Sequence, residues 1–222
     1  MHAVSTSLLL PLRQITDPGF RWPLLKGVAG ALLAFAGLVW LADWGVSALV
    51  GGDGWLATLA GLLGGVLVLV SAVWLFVPVM LGIASLFLDE VAEAVEKRFY
   101  PALPPPQGAG LHAQIWAGVV LGLRMLVLTV LVMILALFAP PVGAVLFWVV
   151  AAVSLGNGLF DGVAQRRMAV TDATLLRRRL RWPIWAVGGV LALAALVPVL
   201  NLVVPVWGTA AMTHLMQRAK PA

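Results

Sequence analysis

The chain has 222 residues, 62% hydrophobic and 10% charged, with a formal charge of +5 and a mean hydropathy of +1.05. A soluble domain carries about a quarter charged residues, so this composition excludes an ordinary water-soluble fold and indicates an integral membrane protein with a single membrane domain spanning 1–222. With no cysteine, disulfides, thiolate metal sites and cysteine nucleophiles are excluded.

His2, His112 and His214 match no zinc spacing, and the chain contains no phosphate-binding loop, dinucleotide fingerprint or hydrolase nucleophile motif. No nucleophile–base pair emerges from the apolar segments, so the expectation is a non-enzyme without metal or cofactor. The positive charge follows the rule that places Lys and Arg on the cytoplasmic side of an inner-membrane protein, and nucleic acid is not an expected partner.

Residues 1–23 form a cytoplasmic lead-in. Residues 1–12 carry no Lys or Arg and no small-residue cleavage site follows, so the segment is expected to remain in the mature protein. TDPGFRWP, at 16–23, has the composition of a turn or helix start. A first long helix is expected over 24–50, with Lys26 at its start, Asp43 near its end and Trp22, Trp40 and Trp44 at the interfaces. GGDG, at 51–54, is a tight turn without basic residues and so faces outside.

A second long helix is expected over 55–99. Its uncharged run up to residue 88 would measure about 51 Å as helix against a hydrocarbon core of about 30 Å, so a kink at Pro78 is expected to turn its end into the cytoplasm. That end, LDEVAEAVEKRF, is amphipathic, with Leu88, Val91, Ala92, Val95 and Phe99 on one stripe. Glu93 and Lys97 form a favourable i,i+4 pair, and the charges read as a solvated face rather than an active site. PALPPPQGAG, at 101–110, is an extended linker.

Residues 111–160 read as a helical hairpin turning at Pro140-Pro141. Arg124 and Asn157 lie equally far from that turn, with Asp161 about one helical turn farther. A charge inside an apolar segment is costly, and two readings of Arg124 remain. It snorkels to the cytoplasmic interface if the hairpin enters only part-way, or faces a cavity or partner helix if the hairpin spans.

Residues 161–182 form a basic cytoplasmic loop with Arg166, Arg167, Arg177, Arg178, Arg179 and Arg181, among 14 Lys and Arg in all. Thr171 or Asp172 is placed to cap a helix running through Leu180. Residues 183–217 then contain PVLNLVVP, at 198–205, flanked by basic residues on both sides. Pro183 to Val197 gives about 22 Å of helix and Pro205 to Met216 about 18 Å, each short of the core thickness. A re-entrant hairpin with PVLNLVVP as its buried non-helical tip fits lengths and charges. Its free N–H groups would offer an anion site near Asn201 and Pro205. The other reading is a single proline-kinked span with Asn201 hydrogen-bonded to a neighbour.

SLFLDEVAEAVEKRFYP (85–101), NGLFDGVAQRRM (157–168) with the following LLRRR, and VPVLNLVVPVWGTAAMTHLMQR (197–218) resemble the CysZ-type sulfate permease family, which includes the etoposide-induced-protein group. DPGFRWPLLKG (17–27) resembles that family's lead into its first long helix, and the chain reads as a divergent branch. The resemblance implies an all-α membrane protein with two long transmembrane helices and two helical hairpins, at least the C-terminal one penetrating only partly. It also implies homo-oligomers in the bacterial inner membrane with both termini cytoplasmic, and channel-like sulfate uptake without a nucleotide-hydrolysing partner.

A basic turn after Pro-Gly is associated with sulfate in that family. Here it is Pro18-Gly19-Phe20-Arg21, with Trp22 in place of a second Arg and Lys26 about one turn along. The expected anion-binding residues are therefore Arg21, Lys26, Arg124, Asn201 and Pro205. Sulfate or a related oxyanion and the lipid bilayer are the expected partners. The competing expectation is a non-transporting scaffold or regulator that presents the basic loop to lipids or proteins.

Overall fold

The computed structural model describes residues 2–11 and 88–219, together with 21–22, 25–26, 29–30, 32–33, 36–37, 39–40, 44, 55, 58–59, 61–62 and 64–65. The chain divides into two compact units, one formed by Met1–Arg21 with Leu88–Ala222 and the other by Trp22–Phe87. In the second unit every described residue is helical and most are exposed. The turn expected at 16–20, Asp43, the GGDG turn, the kink at Pro78 and most of the long helices over 24–50 and 55–87 lie outside the described residues.

The described part is all-helical, without strands. The first unit contains α1 (His2–Leu9), α2 (Leu88–Phe99), α3 (Leu111–Phe138), α4 (Pro140–Gln165), α5 (Val170–Arg179), α6 (Arg181–Ala194) and α7 (Pro198–Ala219). In α2, Asp89 and Glu90 occupy the first turn and Lys97 and Arg98 the last, each sign complementing the helix dipole. Val91, Ala92 and Val95 of the apolar stripe are buried, and α2 packs on α7.

The linker after α2 holds to the base of α4 through Ala109 N–H to the Gln165 carbonyl at 2.9 Å. Helices α3 and α4 have 28 and 26 residues and are apolar enough to cross a membrane. At 1.5 Å per residue they measure about 42 and 39 Å, more than the hydrocarbon core requires. Pro140 and Pro141 fall at the first positions of α4, where a missing N–H costs nothing, and Ala139, at φ −141° and ψ 73°, makes the turn.

The core lies where α4, α6 and α7 meet. Phe160, Val163, Ile184, Val187, Leu191, Val204, Met212 and Leu215 pack there almost entirely excluded from solvent. Helices α4 and α6 cross through glycine. A Cβ on Gly156 would come within 2.7 Å of the Ile184 carbonyl oxygen, and Gly188 sits directly against Ala152 and Gly156. Two indoles fasten the crossing, Trp148 donating to the Gly189 carbonyl at 3.2 Å and Trp185 to Asn157 Oδ1 at 3.3 Å. Helix α1 joins through Trp207, whose indole N–H donates to the Leu8 carbonyl at 2.9 Å.

PVLNLVVP is not a non-helical tip. The chain reverses at residues 195–197, where the Leu196 and Val197 N–H groups bond the Leu193 and Ala194 carbonyls at 3.2 and 3.1 Å. Pro198 then starts α7, Asn201 is already helical with its N–H on the Val197 carbonyl at 2.9 Å, and Pro205 lies inside the helix. Proline at a first helical position is favourable, so Pro198 begins a helix rather than interrupting one. Pro205 cannot donate to the Asn201 carbonyl, the helical bond lost at that position. The basic loop is also largely helical: α4 runs to Gln165 and α5 starts at Val170. Its N-cap is Ala169 with no side-chain cap, rather than Thr171 or Asp172.

Candidate anion site

The glycines of α3 and α4 show how this hairpin opens. Near the turn Gly143 is pressed against Ala136. Toward the base, Gly118 and Gly122 of α3 and Gly158 and Gly162 of α4 have open space where a Cβ would stand. The helices therefore close at the turn and leave a groove of about 380 Å³ at the base, lined by these glycines with Gln114, Leu121, Ser154, Asp161 and Gln165.

A second cavity of about 450 Å³ adjoins the groove and shares Leu121, Asp161 and Gln165 with it. Helix α5 supplies its remaining wall with Thr174, Arg177 and Arg178, and α3 contributes Arg124. From Ala113 to Arg124 the cavity follows α3 for about 16 Å. Arg177 Nη1 donates to Asp161 Oδ2 at 2.9 Å, with the two side chains 17% and 13% exposed. Asp161 Oδ1 is buried and has no hydrogen-bond partner. Among the described residues neither Arg124 nor Arg178 has a carboxylate partner. Three guanidiniums thus face one carboxylate, leaving two positive charges over.

Of the residues expected to bind an anion, Arg124 alone is among those lining this cavity. Arg21 and Lys26 are exposed on helical backbone, Asn201 is half-buried in the first turn of α7, and Pro205 stands one turn farther on. Sequence reasoning missed the convergence of Arg177, Arg178 and Asp161 on Arg124. The available signal was an arginine in an apolar run followed by a basic helix, but only tertiary folding brings α5 back against α3.

A second charged cluster lies at the ends of α2 and α4. Arg167 grips Glu96 in a fork, Nε to Oε1 at 2.5 Å and Nη2 to Oε2 at 2.8 Å. Arg166 adds a contact to Glu96 at 3.3 Å and one to Asp89 at 3.2 Å, and Gln217 donates to Glu96 at 3.4 Å. Arg167 also donates to the Pro104 carbonyl at 2.9 Å. Hydrogen bonding to Glu96 holds the Arg167 guanidinium above its ordinary pKa against the opposing effect of burial. Glu96 has both oxygens engaged, so the cluster is a clasp joining α2, the linker, the base of α4 and α7. Beside it the Tyr100 hydroxyl bonds His214 Nδ1 at 2.9 Å, and Phe99 meets the imidazole edge-on at 4.9 Å.

Long apolar helices, a splayed hairpin and a cavity lined by Arg124, Arg177 and Arg178 describe a helical membrane protein with a basic cavity. The chain belongs to the family described as Sulfate transporter CysZ/Etoposide-induced protein 2.4, whose model matches residues 7–205. No curated protein matches the chain.

Proposed function

We propose that the protein is an inner-membrane permease for sulfate or a related oxyanion, acting as a passive, channel-like path. The observation that carries this reading is the convergence of Arg124, Arg177 and Arg178 on one cavity with a single carboxylate. Oxyanions are recognised by guanidinium forks, and anion pores are lined by positive side chains and hydrogen-bond donors. The family's printed name supports sulfate as the substrate class. The excess of two positive charges suits a dianion.

Helix lengths support a spanning α3–α4 hairpin, with Arg124 facing the cavity rather than snorkelling past it. The arginines of α5 set the cavity mouth on the cytoplasmic side, with both chain termini on that side. In this topology Arg21 and Lys26 attract anions at the cytoplasmic surface. The α6–α7 hairpin enters only partly from that surface: its shorter arm, α6, measures about 21 Å, less than the core thickness, and α7, at about 33 Å, carries its C-terminal end with Arg218 back past the surface. Asn201 and Pro205 then lie near its deepest point, with the Asn201 carbonyl left without its helical donor. Helix α3 contributes no buried residue to the chain, so its apolar surface faces lipid or further copies in the membrane.

The competing reading, a scaffold that docks on anionic lipid, draws on exposed Arg178, Arg179 and Arg181 beside exposed Trp182. Sulfate uptake into proteoliposomes separates the two, with chloride and phosphate as competitors. Arg124→Gln is expected to reduce sulfate flux about tenfold, the loss of one charge-assisted hydrogen bond, with the protein still folded and inserted. Flux unchanged by both Arg124→Gln and Arg178→Gln would remove the cavity from the path. Absence of flux in the folded wild type would favour the scaffold.

A further inference from the structure

Asp161 is the unusual member of the cavity. A carboxylate has about four acceptor positions, and in this structure one oxygen takes a single bond from Arg177 while the other takes none. With its side chain only 13% exposed, such a group is poorly compensated. It also stands on the boundary of both spaces, lining the groove between α3 and α4 and the cavity beside α5. An anion passing from one to the other passes Asp161.

Glu96 gives the internal contrast. It is held by Arg167 through two bonds and by Arg166 and Gln217 through further contacts, and no competing anion could offer those arginines a better fit. Arg177 is held by one bond. A tetrahedral oxyanion presents two oxygens to a guanidinium fork at once, and Arg124 and Arg178 stand on the same cavity to share its charge. The exchange of Asp161 for an oxyanion at Arg177 is therefore favourable in contacts, and the cost is the release of a carboxylate that was only half satisfied.

We propose that Asp161 is a tethered competitor for the anion: its carboxylate occupies Arg177 in the empty site, an entering oxyanion displaces it, and its return drives the oxyanion out. The inference rests on the reading of the cavity as an oxyanion site. It assigns Asp161 the role of setting affinity and release, so that the site binds weakly enough to conduct. A channel site must be left as readily as it is reached.

The test is equilibrium binding of radiolabelled sulfate to the purified full-length protein in lipid nanodiscs, together with sulfate flux in proteoliposomes. Asp161→Asn is expected to tighten sulfate binding about tenfold, the worth of one hydrogen bond to a charged group, and to lower the maximal flux as release slows. Unchanged or weakened binding in a folded Asp161→Asn protein overturns the inference. If wild type binds sulfate and Arg124→Gln weakens it, the oxyanion site stands whatever Asp161→Asn does. If neither wild type nor Asp161→Asn binds sulfate, both readings fall together.

A second comparison keeps the proposal open to refutation should Asp161→Asn fold poorly. Arg177→Gln and the double variant Asp161→Asn/Arg177→Gln are expected to bind sulfate equally, because Asp161 acts through Arg177. Tighter binding by the double variant would show that Asp161 merely repels anions at a distance, and the displacement mechanism would be wrong.

Discussion

The clasp at Glu96 and the cavity at Asp161 are made from the same parts, a carboxylate and arginines, and differ in how fully those parts are satisfied. Glu96 engages both oxygens with three side chains, and its own side chain is 5% exposed. Asp161 engages one oxygen with one side chain and lies against two open spaces. A complete network fixes helices to one another; an incomplete one leaves capacity for a ligand. The proline linker, the base of α4 and α7 all converge on Glu96. The neighbouring groove can stay open while the hairpin base is held.

The sharpest way to break the comparison is to remove the charge from each carboxylate in turn. Glu96→Gln leaves buried Arg167 without its carboxylate and Arg166 with only the exposed Asp89, and is expected to cost about 3 kcal/mol, the lower end for such a loss because the amide oxygen still accepts. Thermal unfolding in detergent should show a large fall in midpoint. Asp161→Asn removes one partly satisfied partner and is expected to cost only about 1 kcal/mol. Equal losses at the two sites would mean that Asp161 is a clasp as well.

Glycine offers an independent cut through the same contrast. Gly156→Leu must displace backbone at the α4–α6 crossing and is expected to destabilise by about 1–3 kcal/mol or more. Gly158→Leu, two residues on, places its side chain in open space and is expected to leave stability within about 0.5 kcal/mol. Gly158 lines the groove, so the same leucine should lower sulfate flux without unfolding the protein. A stable Gly158→Leu protein with undiminished flux would take the groove out of the path.

What the sequence made legible was local. The apolar stripe of 88–99 is helix α2, with Val91, Ala92 and Val95 buried as the spacing requires. The double proline at 140–141 marks the turn between α3 and α4. PVLNLVVP misled because proline reads as a breaker wherever it occurs, whereas at Pro198 it starts a helix and at Pro205 a packed helix absorbs it. Glu96 was hidden among charged neighbours. Its spacing from Ala92 and Phe99 sets it at the edge of the apolar stripe while Glu93 faces away, but its partners Arg166 and Arg167 lie far along the chain. Arg124 stood out as a charge in an apolar run. Its cavity did not, because α5 must fold back before Arg177 and Arg178 join it.

Glu93 supplies the low end of the scale, on the same helix as Glu96 but facing water. Lys97 contacts its carboxylate at 2.5 Å, with the two side chains 51% and 75% exposed. That hydrogen bond holds the Glu93 carboxyl below its ordinary value of 4.5, against a smaller upward push from burial. A depressed folded pKa gives stability that is present above the unfolded value and lost as pH falls through the folded one. Solvent screening limits it to a few tenths of a kcal/mol, about 0.3–0.5 for an i,i+4 pair. Lys97→Ala should therefore lower the unfolding midpoint slightly at neutral pH. The difference from wild type should close as the medium is acidified below 4.5, where Glu93 takes up its proton and the pair is lost in both proteins. A Lys97→Ala effect as large as that of Glu96→Gln would show that exposure does not separate the charges of α2, and the contrast between clasp and solvated face would fail.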